Sequence, residues 1–129
     1  VKRITSLGAL VAGLVVGLAA PPALAAQGTL AGTWSSIDTD GSSQTLTVTG
    51  SGNGAYAMSL FDDAATLCGG APARATGSGR VEEDRLLSRV SVVCLPGGNL
   101  LRGVIGIGYT YDAGADTLTD DFGVVWSRG

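Results

Sequence analysis

From residue 31 onward the apolar side chains recur with period two, and clusters of glycine, aspartate, asparagine and proline interrupt the alternation roughly every 8–12 residues. Successive side chains of an extended chain point to opposite faces, so this pattern predicts strands with one buried and one solvated face. In 44–49, for example, Leu46 and Val48 point one way and Thr45, Thr47 and Thr49 the other. Eight short strands are expected: 31–37; 44–49; a third carrying Tyr56, Met58 and Leu60 and ending at Asp62-Asp63; 73–81; 85–94; a sixth with Leu101, Ile105, Ile107, Tyr109 and Tyr111 inward and Arg102 and Thr110 outward; 117–119; and 124–128. Between them lie turn clusters such as Gly50-Ser51-Gly52-Asn53-Gly54 and Glu82-Glu83-Asp84, with 64–72 as the longest loop. The fourth strand has only Ala73, Ala75, Gly77, Gly79 and Val81 on one face, which predicts a close approach of the opposite wall.

This rhythm belongs to up-and-down barrels and to β-sandwiches. An open sheet would leave its first and last strands with unpaired backbone groups, so an all-β closed barrel is expected, with the sandwich as the alternative. The barrel would close where Gly32-Thr33-Trp34-Ser35 meets the echoing run Val124-Val125-Trp126-Ser127-Arg128.

Residues 1–25 have the layout of a secretory signal peptide. Lys2 and Arg3 precede an apolar run over 7–20, and Ala23-Leu24-Ala25 offers a cleavage site before Ala26. The run is shorter than the roughly 20 residues needed to cross a bilayer, and no cysteine lies near the site for lipid attachment, so release is expected. Without the leader, six arginines face eleven carboxylates, a net charge of −5. Nucleic acid and anionic membrane need clustered positive charge, and both are excluded as expected partners. The remaining 26–129 is one small domain, whose limited core a covalent staple would help.

Cys68 and Cys94 are the only cysteines, and in an exported chain an even pair reads as a disulfide. Two thiolates with no histidine anywhere make an incomplete zinc site, and the spacing is not that of a redox motif. If the fourth and fifth strands form a hairpin about Glu83, positions near 70 and 94 fall opposite one another, and the bridge clamps the foot of that hairpin. Loop-closure entropy over about 25 residues makes it worth about 3–4 kcal/mol.

With Gly32-Thr33-Trp34 opening the first strand and Arg128 closing the last, the chain resembles the calycin barrels, which include lipocalins and avidins. That resemblance implies that Arg128 packs over the indole of Trp34 and plugs the barrel floor, a cation over an aromatic face, while Trp126 takes the same role or faces the core. The chain also resembles small secreted bacterial proteins with a Gly-Thr-Trp start and a Gly-Val-Val-Trp end. It is shorter than a lipocalin, Thr119-Asp120-Asp121 only echoes that family's second motif, and the pocket tryptophans of avidins are missing. No ligand residue carries over, and biotin binding has no support.

The absence of histidine removes the commonest general base and the usual triads, so no catalytic residue and no cofactor is expected. Asp62-Asp63, Glu82-Glu83-Asp84 and Asp120-Asp121 could supply an acid-pair hydrolase, but all fall in turns, where carboxylates are ordinary. Asp38-Thr39-Asp40-Gly41 looks like half a calcium loop without its downstream glutamate, and Asp112, Asp116, Asp120 and Asp121 could add oxygen ligands; no metal site is expected. Tyr56, Met58, Tyr109 and Tyr111 are the candidate lining of a ligand cavity, although in a barrel this short core packing competes for the same side chains. The expectation is a secreted, non-catalytic module for an unidentified protein or a small apolar ligand. The alternatives are an inhibitor of a secreted hydrolase working through 64–72, the hydrolase itself, and a structural envelope protein.

Overall fold

The structure, a computed structural model, describes residues 30–50 and 54–129, with the backbone alone for 99–103. The expected leader, its cleavage site and the domain boundary at 26 lie outside the described residues, as do Ser51, Gly52 and Asn53 of the first hairpin turn and the side chains of Leu101 and Arg102.

The described residues form eight antiparallel strands: β1 (Gly32–Ile37), β2 (Ser43–Thr49), β3 (Ala55–Asp62), β4 (Ala73–Glu82), β5 (Arg85–Cys94), β6 (Asn99–Asp112), β7 (Thr117–Asp120) and β8 (Val125–Arg128). Each pairs with its neighbour in sequence, and β8 returns to β1, with Ser127 opposite Ser35 and Arg128 opposite Trp34. The result is a closed up-and-down barrel, which removes the sandwich alternative. Closure satisfies the edge backbone groups that an open sheet would expose.

The alternation sets the inside. Trp34, Leu46, Val48, Tyr56, Met58, Leu86, Tyr109, Leu118 and Trp126 form one buried cluster with Leu30 and Val124, while Ala65, Ala73, Ala75, Val90 and Val92 form a second. The first cluster carries the large residues, each worth about 1.5–3 kcal/mol when fully buried. Midway along β5 the inward Ser88, 3% exposed, donates its hydroxyl to the Ile107 carbonyl at 2.7 Å and so satisfies a group that would be costly to bury alone.

One local expectation is corrected, and two local features are added. The small residues of β4 do not bring the opposite wall close; the space over Gly79 is taken by Met58 and Leu86 from the flanking strands, and a side chain at Gly77 would collide with the backbone of Arg89 on β5. The pairing of β6 with β5 shifts register between Ser91 and Val93. The loop after β3 holds one 3₁₀ turn, Thr66–Cys68, closed by Gly69 in the left-handed region. Cys68 on that turn is bonded to Cys94 at the end of β5, with Cα atoms 5.6 Å apart, and Ala73 at the start of β4 pairs with Cys94. The bridge thus ties the longest loop to the foot of the β4–β5 hairpin.

Candidate functional site

Because the strands alternate in direction, the connections sort to two ends. Segment 30–31, Gly50 and Gly54, the turns at 83–84 and 113–116 and the chain end lie at one end; 38–42, 63–72, 95–98 and 121–124 lie at the other.

The first end is closed. Arg128 crosses from β8 with its guanidinium 4.4 Å from the centre of the Trp34 ring system, and its Nη1 donates to the Ala31 carbonyl at 3.1 Å. Nε donates to Asp116 Oδ2 at 3.1 Å and Nη2 to Asp116 Oδ1, a bidentate fork. Gly32 is required beneath it: a Cβ there would sit 2.9 Å from Arg128 Cδ, and its φ of 145° strains any other residue. Trp34, fully buried, donates its indole N–H to the Leu30 carbonyl at 3.0 Å and meets Tyr111 edge-on at 6.4 Å. The Tyr111 hydroxyl donates to Asp116 at 2.9 Å. Hydrogen bonds from Arg128 and Tyr111 hold the Asp116 carboxyl below the usual carboxylate range, while partial burial and the bond to Asp116 push the Tyr111 phenol up.

The second end is open, over a cavity of about 370 Å³. Leu60, Ala73, Ala75, Val92, Ile105 and Ile107 supply an apolar wall, and Tyr109 and Trp126 complete it, their rings edge-to-face at 6.2 Å. Space remains because the inward residues of β4 here are alanines. Leu67 and Phe122, 54% and 72% exposed, stand on the rim.

The inward rows end at this mouth in polar residues. Trp34 is followed by Ser36, Leu46 is preceded by Gln44, Leu60 is followed by Asp62 and Leu118 by Asp120. Three of these form a chain across neighbouring strands: Ser36 Oγ lies 3.1 Å from Gln44 Oε1, to which it donates, and Gln44 Nε2 donates to Asp62 Oδ2 at 3.3 Å. The Ala64 N–H donates to Asp62 Oδ1 at 3.0 Å, so among the described residues this buried carboxylate meets neutral donors. Asp120 accepts the indole N–H of Trp126 at 3.1 Å and the amides of Phe122 and Val124 at 2.9 and 3.0 Å. Asp40 joins two mouth loops, accepting from Ser42 and, at 2.8 Å, from the Thr66 hydroxyl; the Ser42 bonds, and then that of Thr66, hold its carboxyl low.

Of the four residues expected to line a cavity, Tyr109 does so. Tyr56 and Met58 sit on the lower half of β3 and Tyr111 at the floor, so they pack the core instead. Trp126 faces the cavity, and Trp34 and Arg128 form the floor pair. The acidic doublets are split by the strand alternation. Asp62 and Asp120 face the cavity, whereas Asp63 accepts the Ser43 amide and Asp121 pairs with Arg85 at 2.8 Å on the outside. Glu82, Glu83 and Asp84 are at the far end of the barrel, as are Asp112 and Asp116, which therefore cannot share an ion with Asp38, Asp40 or Asp120. Among the described residues, no group of three or more acidic or cysteine side chains is arranged to hold a metal, and no helix is long and apolar enough to cross a membrane. Another depression, of about 700 Å³, lies against the barrel wall around Gly79, Leu87 and Gly108, where the edge of Tyr56 is bordered by Ser78, Arg80 and Arg89.

The sequence pattern missed Gln44, Leu60, Asp62, Asp120 and Phe122 as mouth residues. Their signal was available: each of the first four continues an inward row at its open end. Comparison with protein-family models, with curated proteins and with solved structures finds no match to this chain.

Proposed function

We propose that the protein is a secreted, non-catalytic binding module that takes a small, largely apolar ligand through the open mouth of the barrel. The observation that carries this reading is the cavity of about 370 Å³, above the roughly 300 Å³ at which ligand pockets begin. Its walls are apolar and its few polar groups are concentrated at one rim, the arrangement that gives a site both affinity and orientation. The disulfide fits the same reading, since it braces the loop carrying Ala65 and Leu67 and limits the ordering cost on binding. It also fits export to an oxidising compartment. The calycin-like closure by Trp34 and Arg128 is a scaffold feature and names no ligand.

Binding is favoured over hydrolysis because the carboxylates at the mouth are engaged by turn amides, hydroxyls and the Trp126 indole. The test is fluorescence of the neutral probe N-phenyl-1-naphthylamine, whose emission rises in apolar surroundings. Wild-type protein is expected to enhance it saturably, and Ala75→Leu, which adds three carbons to the cavity wall, to abolish the enhancement while remaining folded. Equal enhancement by the folded variant would place the probe elsewhere and defeat the reading.

A further inference from the structure

The charge of the mouth narrows the ligand class, an inference that rests on the cavity being the binding site. Four carboxylates, those of Asp38, Asp40, Asp62 and Asp120, border the cavity, and none of them is ion-paired among the described residues. Three carboxylates elsewhere do form pairs with arginine: Glu82 with Arg80, Asp121 with Arg85 and Asp116 with Arg128. No basic side chain among the described residues lines the cavity.

Two buried groups point into the same space. Asp62 is only 9% exposed, and among the described residues its oxygens meet an amide N–H and the Gln44 side chain but no cation. Buried carboxylates are usually matched by an opposite charge, because neutral donors return only part of the hydration they lose. Tyr109, 2% exposed, lies opposite Asp120 in the β6–β7 ladder, and its hydroxyl has no hydrogen-bond partner among the described residues. A buried phenol without a partner is uncommon in a finished core, and this one lines the cavity.

We infer that the ligand is a small apolar amine, bound as its ammonium. Its positive end supplies the counter-charge missing at Asp62, while Asp120, four strands away on the opposite wall, adds to the negative field of the mouth. Its hydrocarbon part covers Leu60, Ala75 and Ile107, with Trp126 and Tyr109 as aromatic surface of the kind that attracts cations. The same charges disfavour carboxylates, so a fatty acid is the wrong ligand for this mouth.

Three probes of one length separate this inference from the reading beneath it: hexylammonium, 1-hexanol and hexanoate, each titrated into the ¹⁵N-labelled protein while the Trp126 indole N–H signal is followed. The ammonium is expected to bind at least about tenfold tighter than the alcohol, a factor equal to ~1.4 kcal/mol, and the carboxylate weakest. The advantage over the alcohol should shrink in 0.5 M salt, which screens partly exposed charges. Asp62→Asn, which keeps shape and acceptor but removes charge, should narrow the ratio of ammonium to alcohol affinity; an unchanged ratio counts against Asp62, and Asp120→Asn is read the same way if that variant does not fold. An alcohol that binds as tightly as the ammonium, or a carboxylate that binds best, overturns the amine and leaves the cavity reading standing. If none of the three moves the Trp126 signal, both fall.

Discussion

The two tryptophans of the barrel are equally hidden and differently employed. Trp34, at the closed end, donates to the Leu30 carbonyl and lies under the guanidinium of Arg128, with apolar side chains filling the remaining space. Trp126, at the open end, donates to the carboxylate of Asp120 and borders a cavity. Both stand on strands that obey the same alternation, so burial alone does not distinguish a plug from a wall. The difference lies in what ends each inward row: large apolar residues and a capping cation at the floor, alanines and polar side chains at the mouth. The floor spends its residues on closure, and the mouth leaves volume and unpaired charge.

The comparison breaks most visibly under truncation. Trp34→Ala should destabilise by about 3–5 kcal/mol, the usual cost of removing a fully buried large aromatic, read as a fall in the denaturant midpoint. Ala75→Leu, at the mouth, should cost little or raise that midpoint, because its added carbons enter existing space rather than a packed core. Comparable losses at the two positions would mean that the upper half is packed like the lower.

Arg128→Ala tests the cap itself. The side chain is 25% exposed, so the cation over Trp34 and the fork to Asp116 are only partly screened, and a loss of about 1–2 kcal/mol is expected. Arg128→Lys should recover only part of it, since an ammonium cannot reproduce the planar fork. The effect belongs to the floor, and probe binding at the mouth should survive it.

A smaller and more gradual effect comes with pH. Burial first, then the charges of Asp120 and Asp121, push the Tyr109 phenol well above its ordinary value. The unfolded chain therefore releases that proton first, so the stability it contributes is complete below about pH 10, the unfolded tyrosine value, and is lost as pH rises beyond it. Tyrosinate absorbance should show Tyr109 ionising only together with unfolding, and a Tyr109→Phe variant should flatten the alkaline decline. At the acid end the depressed carboxyls of Asp116, Asp40 and Asp121 act in the opposite sense, with stability present above about pH 4 and lost as pH falls through their folded values.

Much of the scaffold was legible in the residue pattern. Period-two alternation and turn chemistry are local, and they placed the strands; β5 begins and ends where the alternation from Arg85 to Cys94 does. The disulfide and the meeting of β1 with β8 followed from topology, which local order constrains strongly when consecutive strands pair. The 3₁₀ turn at Thr66–Cys68 and the register shift near Val92 were not legible, because neither leaves a periodic trace. The cavity was legible in part. Tyr109 was among the aromatics expected to line it, but Tyr56, Met58 and Tyr111 were assigned by residue type, whereas the empty volume depends on height along the barrel. Asp62 and Asp120 were weighed as members of turn doublets, although each also continues an inward row.

The central claim is that the barrel is closed at Trp34 and receptive at Trp126, and the two indole N–H resonances report on those ends separately. Titrating ¹⁵N-labelled protein with 1-hexanol, which carries no charge, should shift the Trp126 signal progressively to saturation while the Trp34 signal stays in place. A shift confined to Trp34, or equal movement of both, would contradict the account.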